Sequence, residues 1–135
     1  MKKKLKRILL VEDDRATIFL NKFIIGKVDC TENIQVAENG QEALEFLKSG
    51  IEDEHLIPNL ILLDINMPSI NGWEFLEEFK KLEIDKKNKI VIVMLSSSNN
   101  PDDKKRAEAI KEVSGFRNKP LTLDKFNTVL EEYFA

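Results

Sequence analysis

Short aliphatic runs alternate along the chain with longer stretches in which apolar positions recur at helical spacing. Ile8 to Val11 is an unbroken aliphatic run, as expected of a strand buried on both faces. Arg15 to Ile25 follows, with Ala16, Leu20, Phe23 and Ile24 read as one helical face. Ile34 and Val36 alternate as a short strand, and Glu42 to Lys48 carries a second helical stripe of Ala43, Leu44 and Leu47. Leu60 to Leu63 is the next aliphatic run, closed by Asp64, and Gly72 precedes a helix bearing Trp73, Leu76 and Phe79. Ile90 to Leu95 is the most β-prone run, rich in β-branched residues. Asp102 or Asp103 is expected to open a helix just after Pro101, with Ala107 and Ile110 on its buried face. Gly115 to Asn118 is a short fifth strand. Thr122 then suits the N-cap of a last helix whose Phe126, Val129, Leu130 and Tyr133 share one face.

Five strands and five helices in strict alternation imply parallel strands, right-handed crossovers and helices on both faces of the sheet. The expected fold class is α/β, a flavodoxin-like (βα)5 doubly wound sheet with strand order 2-1-3-4-5. Residues 48–59 form the longest connection and, with Gly50, Pro58 and several acidic residues, are expected to be an exposed loop. A chain of 135 residues with no repeat or linker makes one domain. Residues 1–5, with Lys2, Lys3 and Lys4 continued by Lys6, read as a basic solvated tail, and residues 6–135 as the folded unit.

Composition narrows the functional classes. Lys and Arg total 21 against 24 Asp and Glu, a formal charge of -3, which gives no support to nucleic-acid binding. The single cysteine, Cys30, cannot form an intramolecular disulfide, and one histidine, His55, excludes Cys/His zinc spacings. No apolar run is long enough for a membrane span, and the apolar stretch after the basic start ends at once in Glu12-Asp13-Asp14, unlike a signal peptide. A cytoplasmic location with no membrane association is expected.

In an open α/β sheet, ligands bind beyond the carboxyl ends of the strands. The first strand ends in Glu12-Asp13-Asp14, the third in Asp64, the fourth in Ser96 and the fifth in Lys119. Asp13 or Asp14 taken alone is more often a helix cap than a ligand, Ser96 alone is ordinary loop chemistry, and Lys119 alone an exposed lysine. Their joint placement describes a hard-cation site beside a place for an oxyanion. Mg²⁺ takes oxygen ligands, uses one or two carboxylates, and relieves the repulsion between them. A carboxylate there can act as nucleophile and hold a phosphoryl group, while Lys119 and Ser96 neutralise and hydrogen-bond its oxygens.

From Lys6 to Tyr133 the chain resembles the receiver domain of two-component response regulators, in the manner of the chemotaxis regulator. The resemblance rests on Leu10-Val11-Glu12-Asp13-Asp14, on Leu63-Asp64-Ile65-Asn66-Met67-Pro68 with Asn71-Gly72, on Met94-Leu95-Ser96-Ser97 and on Asn118-Lys119-Pro120. It implies that Asp64 accepts phosphate from the phosphohistidine of a sensor histidine kinase or phosphotransfer protein. It further implies that Asp13, Asp64 and the backbone carbonyl of Asn66 bind Mg²⁺, with Glu12 acting through water. Lys119 would pair with the phosphoryl group, Ser96 would move toward it, and Phe116 would turn inward as the switch aromatic. The bond between Lys119 and Pro120 would be cis.

A downstream target would then dock on the face formed by the fourth helix, fifth strand and fifth helix, the protein being a monomer or a weak phosphorylation-dependent dimer. Since the chain stops just after the fifth helix, a stand-alone receiver acting through a partner is expected. Ser stands at 96 where Thr is frequent, and Phe116 lacks a phenolic hydroxyl, so no tyrosine hydrogen bond contributes to the switch. Asn66 and Ser98 occupy positions where the family tunes dephosphorylation. Two other readings compete. A phosphohydrolase of the haloacid-dehalogenase type would carry a second aspartate where this chain has Asn66, and a cap segment that is missing here. A pseudo-receiver would have lost one of Asp13, Asp64, Ser96 or Lys119, and all are present.

Overall fold

The computed structural model describes residues 5–67, 69–84, 89–97 and 100–134; Lys2, Lys3, Lys4, Pro68 and Ser98 lie outside the described residues. Strand β1 (Leu5–Val11) leads through α1 (Arg15–Val28) to β2 (Thr31–Ala37) and α2 (Gly40–Glu52). After a 3₁₀ turn at Glu54–Leu56 come β3 (Leu60–Asp64), α3 (Gly72–Lys81), β4 (Val91–Ser96), α4 (Pro101–Glu108), β5 (Gly115–Asn118) and α5 (Leu123–Phe134). All four strand pairings are parallel and the order is β2-β1-β3-β4-β5, as the alternation of elements implies. Leu5, the last residue of the stretch read as tail, is the first of β1 and is buried.

Successive strand residues point to opposite faces, so each central strand feeds two cores. Ile8, Leu10, Leu60, Leu62, Val93 and Leu95 pack against Ile24 and Ile25 of α1 and Phe126, Val129 and Leu130 of α5. Leu9, Val11, Ile61, Leu63, Ile92 and Met94 pack against α2, α3 and Ala107 of α4. The last helix forms as its pattern suggests, with the Thr122 hydroxyl accepting from the Lys125 amide at 3.1 Å.

Three local expectations need correction. The inward face of α1 is not Ala16, Leu20, Phe23 and Ile24: of these only Ile24 is buried, alongside Asn21 and Ile25. Residues 18 to 20 and 23 to 25 are apolar around the whole helix, so spacing selects no unique face, and the observed face is turned by about one residue, ~100°. Phe19, Leu20 and Phe23 therefore face outward, at 75%, 41% and 59% exposure.

Second, much of residues 48–59 is not loop. Helix α2 continues to Glu52, Asp53 accepts from the His55 amide at 3.1 Å to start the 3₁₀ turn, and Pro58 is buried. Third, α4 is opened by Asn100, whose side chain accepts from the Asp102 amide at 3.0 Å, rather than by Asp102 or Asp103. Pro101 occupies the first helical position, where its missing N–H costs nothing, and the two aspartates fill the first turn.

Candidate functional site

Sheet register alone gathers the polar residues. Val11 pairs with Leu63, and Asp64 pairs with Leu95, so Glu12, Asp64 and Ser96 emerge at one level of the sheet. Ser96 in turn pairs with Asn118, and the Lys119 amide donates to the Ser96 carbonyl at 2.7 Å, which places Lys119 across the crevice from β1. The bond between Lys119 and Pro120 is cis.

Carboxylate oxygens of Glu12, Asp13 and Asp64 lie within 4.8 Å of one another. Lys119 Nζ reaches Glu12 Oε1 at 2.6 Å and Asp64 Oδ1 at 3.0 Å. Glu12, Asp64 and Ser96 are buried, whereas Asp13 is exposed and Asn66 lies exposed in the turn after β3. Burial raises the Glu12 pKa and the Asp64 charge adds to that, while the Lys119 hydrogen bond and charge pull the other way without cancelling the rise. Burial by itself would lower the Lys119 pKa, but its hydrogen bonds to Glu12 and Asp64 outweigh that and the pKa ends up raised. Two buried carboxylates, Glu12 and Asp64, thus share the half-buried Lys119 ammonium, and the cluster opens to solvent at Asp13.

Asp14 goes elsewhere. Its carboxylate caps α1, accepting from the Thr17 amide at 3.0 Å and the Thr17 hydroxyl at 2.6 Å. Those bonds hold its pKa below the usual value. Of the three consecutive acids, then, Glu12 faces the lysine, Asp13 completes the cluster and Asp14 starts the helix. The spacing Asp14-x-x-Thr17 is the sequence signal that distinguishes the cap from its neighbour.

The segment after Asp64 is fixed from both sides. Asn71 and Glu74 form a reciprocal capping box at the start of α3, with bonds of 2.9 and 3.1 Å. The Gly72 amide donates to the Ile65 carbonyl at 2.8 Å. A Cβ on Gly72 would lie 2.8 Å from the Asp64 carbonyl oxygen and 2.9 Å from Ile65 Cα, so only glycine lets α3 start this close to the strand end. Phe116 is half-buried in β5 and lines a recess of about 240 Å³ with Ala107 of α4 and Tyr133 of α5. Sequence reasoning passed over two features: the buried Asn21, and the contact of Arg106 with Trp73 described below.

Residues 8–131 match the family model of the response regulator receiver domain. Among solved structures, a two component response regulator from Cytophaga hutchinsonii superposes with a TM-score of 0.88 at 37% identity, covering 97% of this chain and 98% of that one. The Mn(2+)-bound form of response regulator Rcp1 superposes at 0.71 with 35% identity, covering 93% and 90%. Among curated relatives, a protein-glutamate methylesterase/protein-glutamine glutaminase of Treponema denticola is 41% identical over 58% of this chain. The chain spans only 19% of that relative's length. The chain belongs to the response regulator receiver domain family, with the flavodoxin-like fold of that family and an acidic cluster where Mg²⁺ would bind. These are signalling domains rather than enzymes. No helix among the described residues is long and apolar enough to cross a membrane.

Proposed function

We propose that this chain accepts a phosphoryl group on Asp64 from a phosphohistidine of a sensor histidine kinase or phosphotransfer protein, in a Mg²⁺-dependent cytoplasmic reaction, and signals the change to a partner protein. The observation that carries this reading is the buried Asp64 carboxylate held 3.0 Å from Lys119 and clustered with Glu12 and Asp13. The donor set fits Mg²⁺: every candidate ligand is oxygen, the Glu12 pKa is raised where a cation would lower it, and the cluster opens to solvent at Asp13. Bound by Asp13, Asp64 and the Asn66 carbonyl, with Glu12 acting through water, Mg²⁺ would supply positive charge to the phosphoryl oxygens.

An Asp64 carboxylate oxygen attacks phosphorus; the bond to the donor imidazole nitrogen breaks, and the imidazole leaves with that electron pair. Lys119 exchanges part of its contact with Asp64 for a phosphoryl oxygen, and Ser96 donates to another. The added charge and acceptor oxygens favour the arrangement in which both residues reach them. Phe116 then moves within its recess, altering the face of α4, β5 and α5 that the target reads. Phe19, Leu20 and Phe23, exposed on the helix that follows Asp13 and Asp14, offer the donor an apolar surface. Helix α1 contains Arg15, Lys22 and Lys27 and no acid, with Lys27 Nζ 5.7 Å from the centroid of the Phe23 ring, so a donor rimmed by carboxylates fits it.

Calorimetric titration with Mg²⁺ tests the metal assignment. Asp13→Ala is expected to weaken binding at least about tenfold, and Asp14→Ala to leave it within about twofold, because Asp14 is occupied by Thr17. Phosphorylation by a small-molecule donor should stop on adding EDTA. Equal loss of Mg²⁺ affinity in both variants, or phosphorylation that persists in EDTA, would refute the assignment.

A further inference from the structure

Helix α4 is held to the sheet lightly. Of its residues Pro101–Glu108 only Ala107 is buried, and six of the other seven are charged. Its neighbour on the chain, Arg106, lays its guanidinium carbon 4.3 Å from the centroid of the Trp73 ring in α3. Arg106 is exposed and, among the described residues, makes no ion pair. Trp73 is buried in the same core cluster as Ala107, and it follows Gly72, the residue in contact with the Asp64 backbone. One end of the contact is therefore tied to the strand that ends in Asp64, and the other to the helix that begins five residues after Ser96.

Building on the phosphoacceptor reading above, we propose that Arg106 on Trp73 is a latch that holds α4 against α3 while Asp64 is unphosphorylated and that opens as the switch is thrown. A cation over an indole face is attracted by the ring quadrupole, and at an exposed site the contact carries a small free energy. A helix anchored by one alanine is an element whose position such a contact can bias. Because a ligand shifts a two-state equilibrium only by its differential affinity, removing a contact made in the resting state makes activation easier.

The test uses the full chain and its only tryptophan as reporter. Wild type, Arg106→Ala and Arg106→Lys are titrated with beryllofluoride in the presence of Mg²⁺, with occupancy read by fluorine NMR and the ring environment by Trp73 emission. Arg106→Ala is expected to bind about two- to fivefold more tightly, the weight of one exposed cation–π contact. Arg106→Lys, which keeps the charge, should stay near wild type. Beryllofluoride should change Trp73 emission in the wild type and much less in Arg106→Ala, where the ring is already uncovered. Affinity and emission change in Arg106→Ala equal to wild type, or weaker binding, would overturn the latch alone. Failure of the wild type to bind beryllofluoride would overturn the phosphoacceptor reading and the latch with it.

Discussion

Asp64→Asn is expected to abolish phosphoryl uptake, a loss of at least about a thousandfold, with the fold intact. An amide is no nucleophile toward phosphorus, and neither neighbouring acid substitutes for it. Glu12 is engaged by Lys119 at 2.6 Å, and Asp13 belongs to the loop that precedes α1 rather than to the strand end. The fold survives because an asparagine carbonyl can still accept from Lys119, while one of three carboxylates within 4.8 Å is removed. That removal also ends the repulsion by which Asp64 helps to raise the Glu12 pKa, so stability should hold or rise. Intact-mass measurement of the variant after incubation with Mg²⁺ and a small-molecule phosphodonor, beside its urea unfolding curve, checks both halves. A phosphorylated Asp64→Asn variant would place the acceptor elsewhere.

Gly72→Ala should produce the largest loss of stability for the smallest added volume, about 2–3 kcal/mol. The new methyl carbon would lie 2.8 Å from the Asp64 carbonyl oxygen and 2.9 Å from Ile65 Cα, both backbone atoms that cannot rotate aside. Relief requires α3 to retreat from the end of β3, which breaks the 2.8 Å bond from the Gly72 amide to Ile65 and displaces Asp64 itself. Phosphorylation should therefore slow along with the loss in unfolding free energy. Gly26→Ala is the internal control. It lies in α1, a Cβ there meets nothing within 4 Å, and helix propensity predicts a gain of about 0.5–1 kcal/mol. Urea denaturation that ranks the two substitutions in the opposite order would show that α3 and β3 can part enough to admit a methyl group at little cost.

The strands were readable because burial on both faces writes unbroken aliphatic runs, as at Leu60 to Leu63, where every residue is buried. Helix α5 was readable down to its cap, since Phe126, Val129 and Leu130 form a single stripe and Thr122 precedes it. Helix α1 was not. Its apolar residues encircle the axis, so only packing on the sheet and α5 decides that Asn21 turns inward and Phe19 outward. The 48–59 segment misled because Gly50 resembles a stop, whereas in α2 it is buried where the returning chain crosses: a Cβ there would meet Ile57 at 2.9 Å. At the site, the residue types at four strand ends were visible at once. The separate tasks of Asp13 and Asp14 depend on a hydrogen bond to Thr17, and the contact of Arg106 with Trp73 joins helices far apart in sequence, which local pattern does not reveal.

The most direct measurement is the mass and position of the adduct formed by the wild-type chain with a small-molecule phosphodonor and Mg²⁺, mapped to a residue by reductive trapping of the acyl phosphate. One phosphoryl group per chain, located at Asp64 and absent without Mg²⁺, is the expected result. No adduct under conditions where hydrolysis is slow, or an adduct on His55 or another residue, would contradict a receiver built on the cluster of Glu12, Asp13, Asp64 and Lys119.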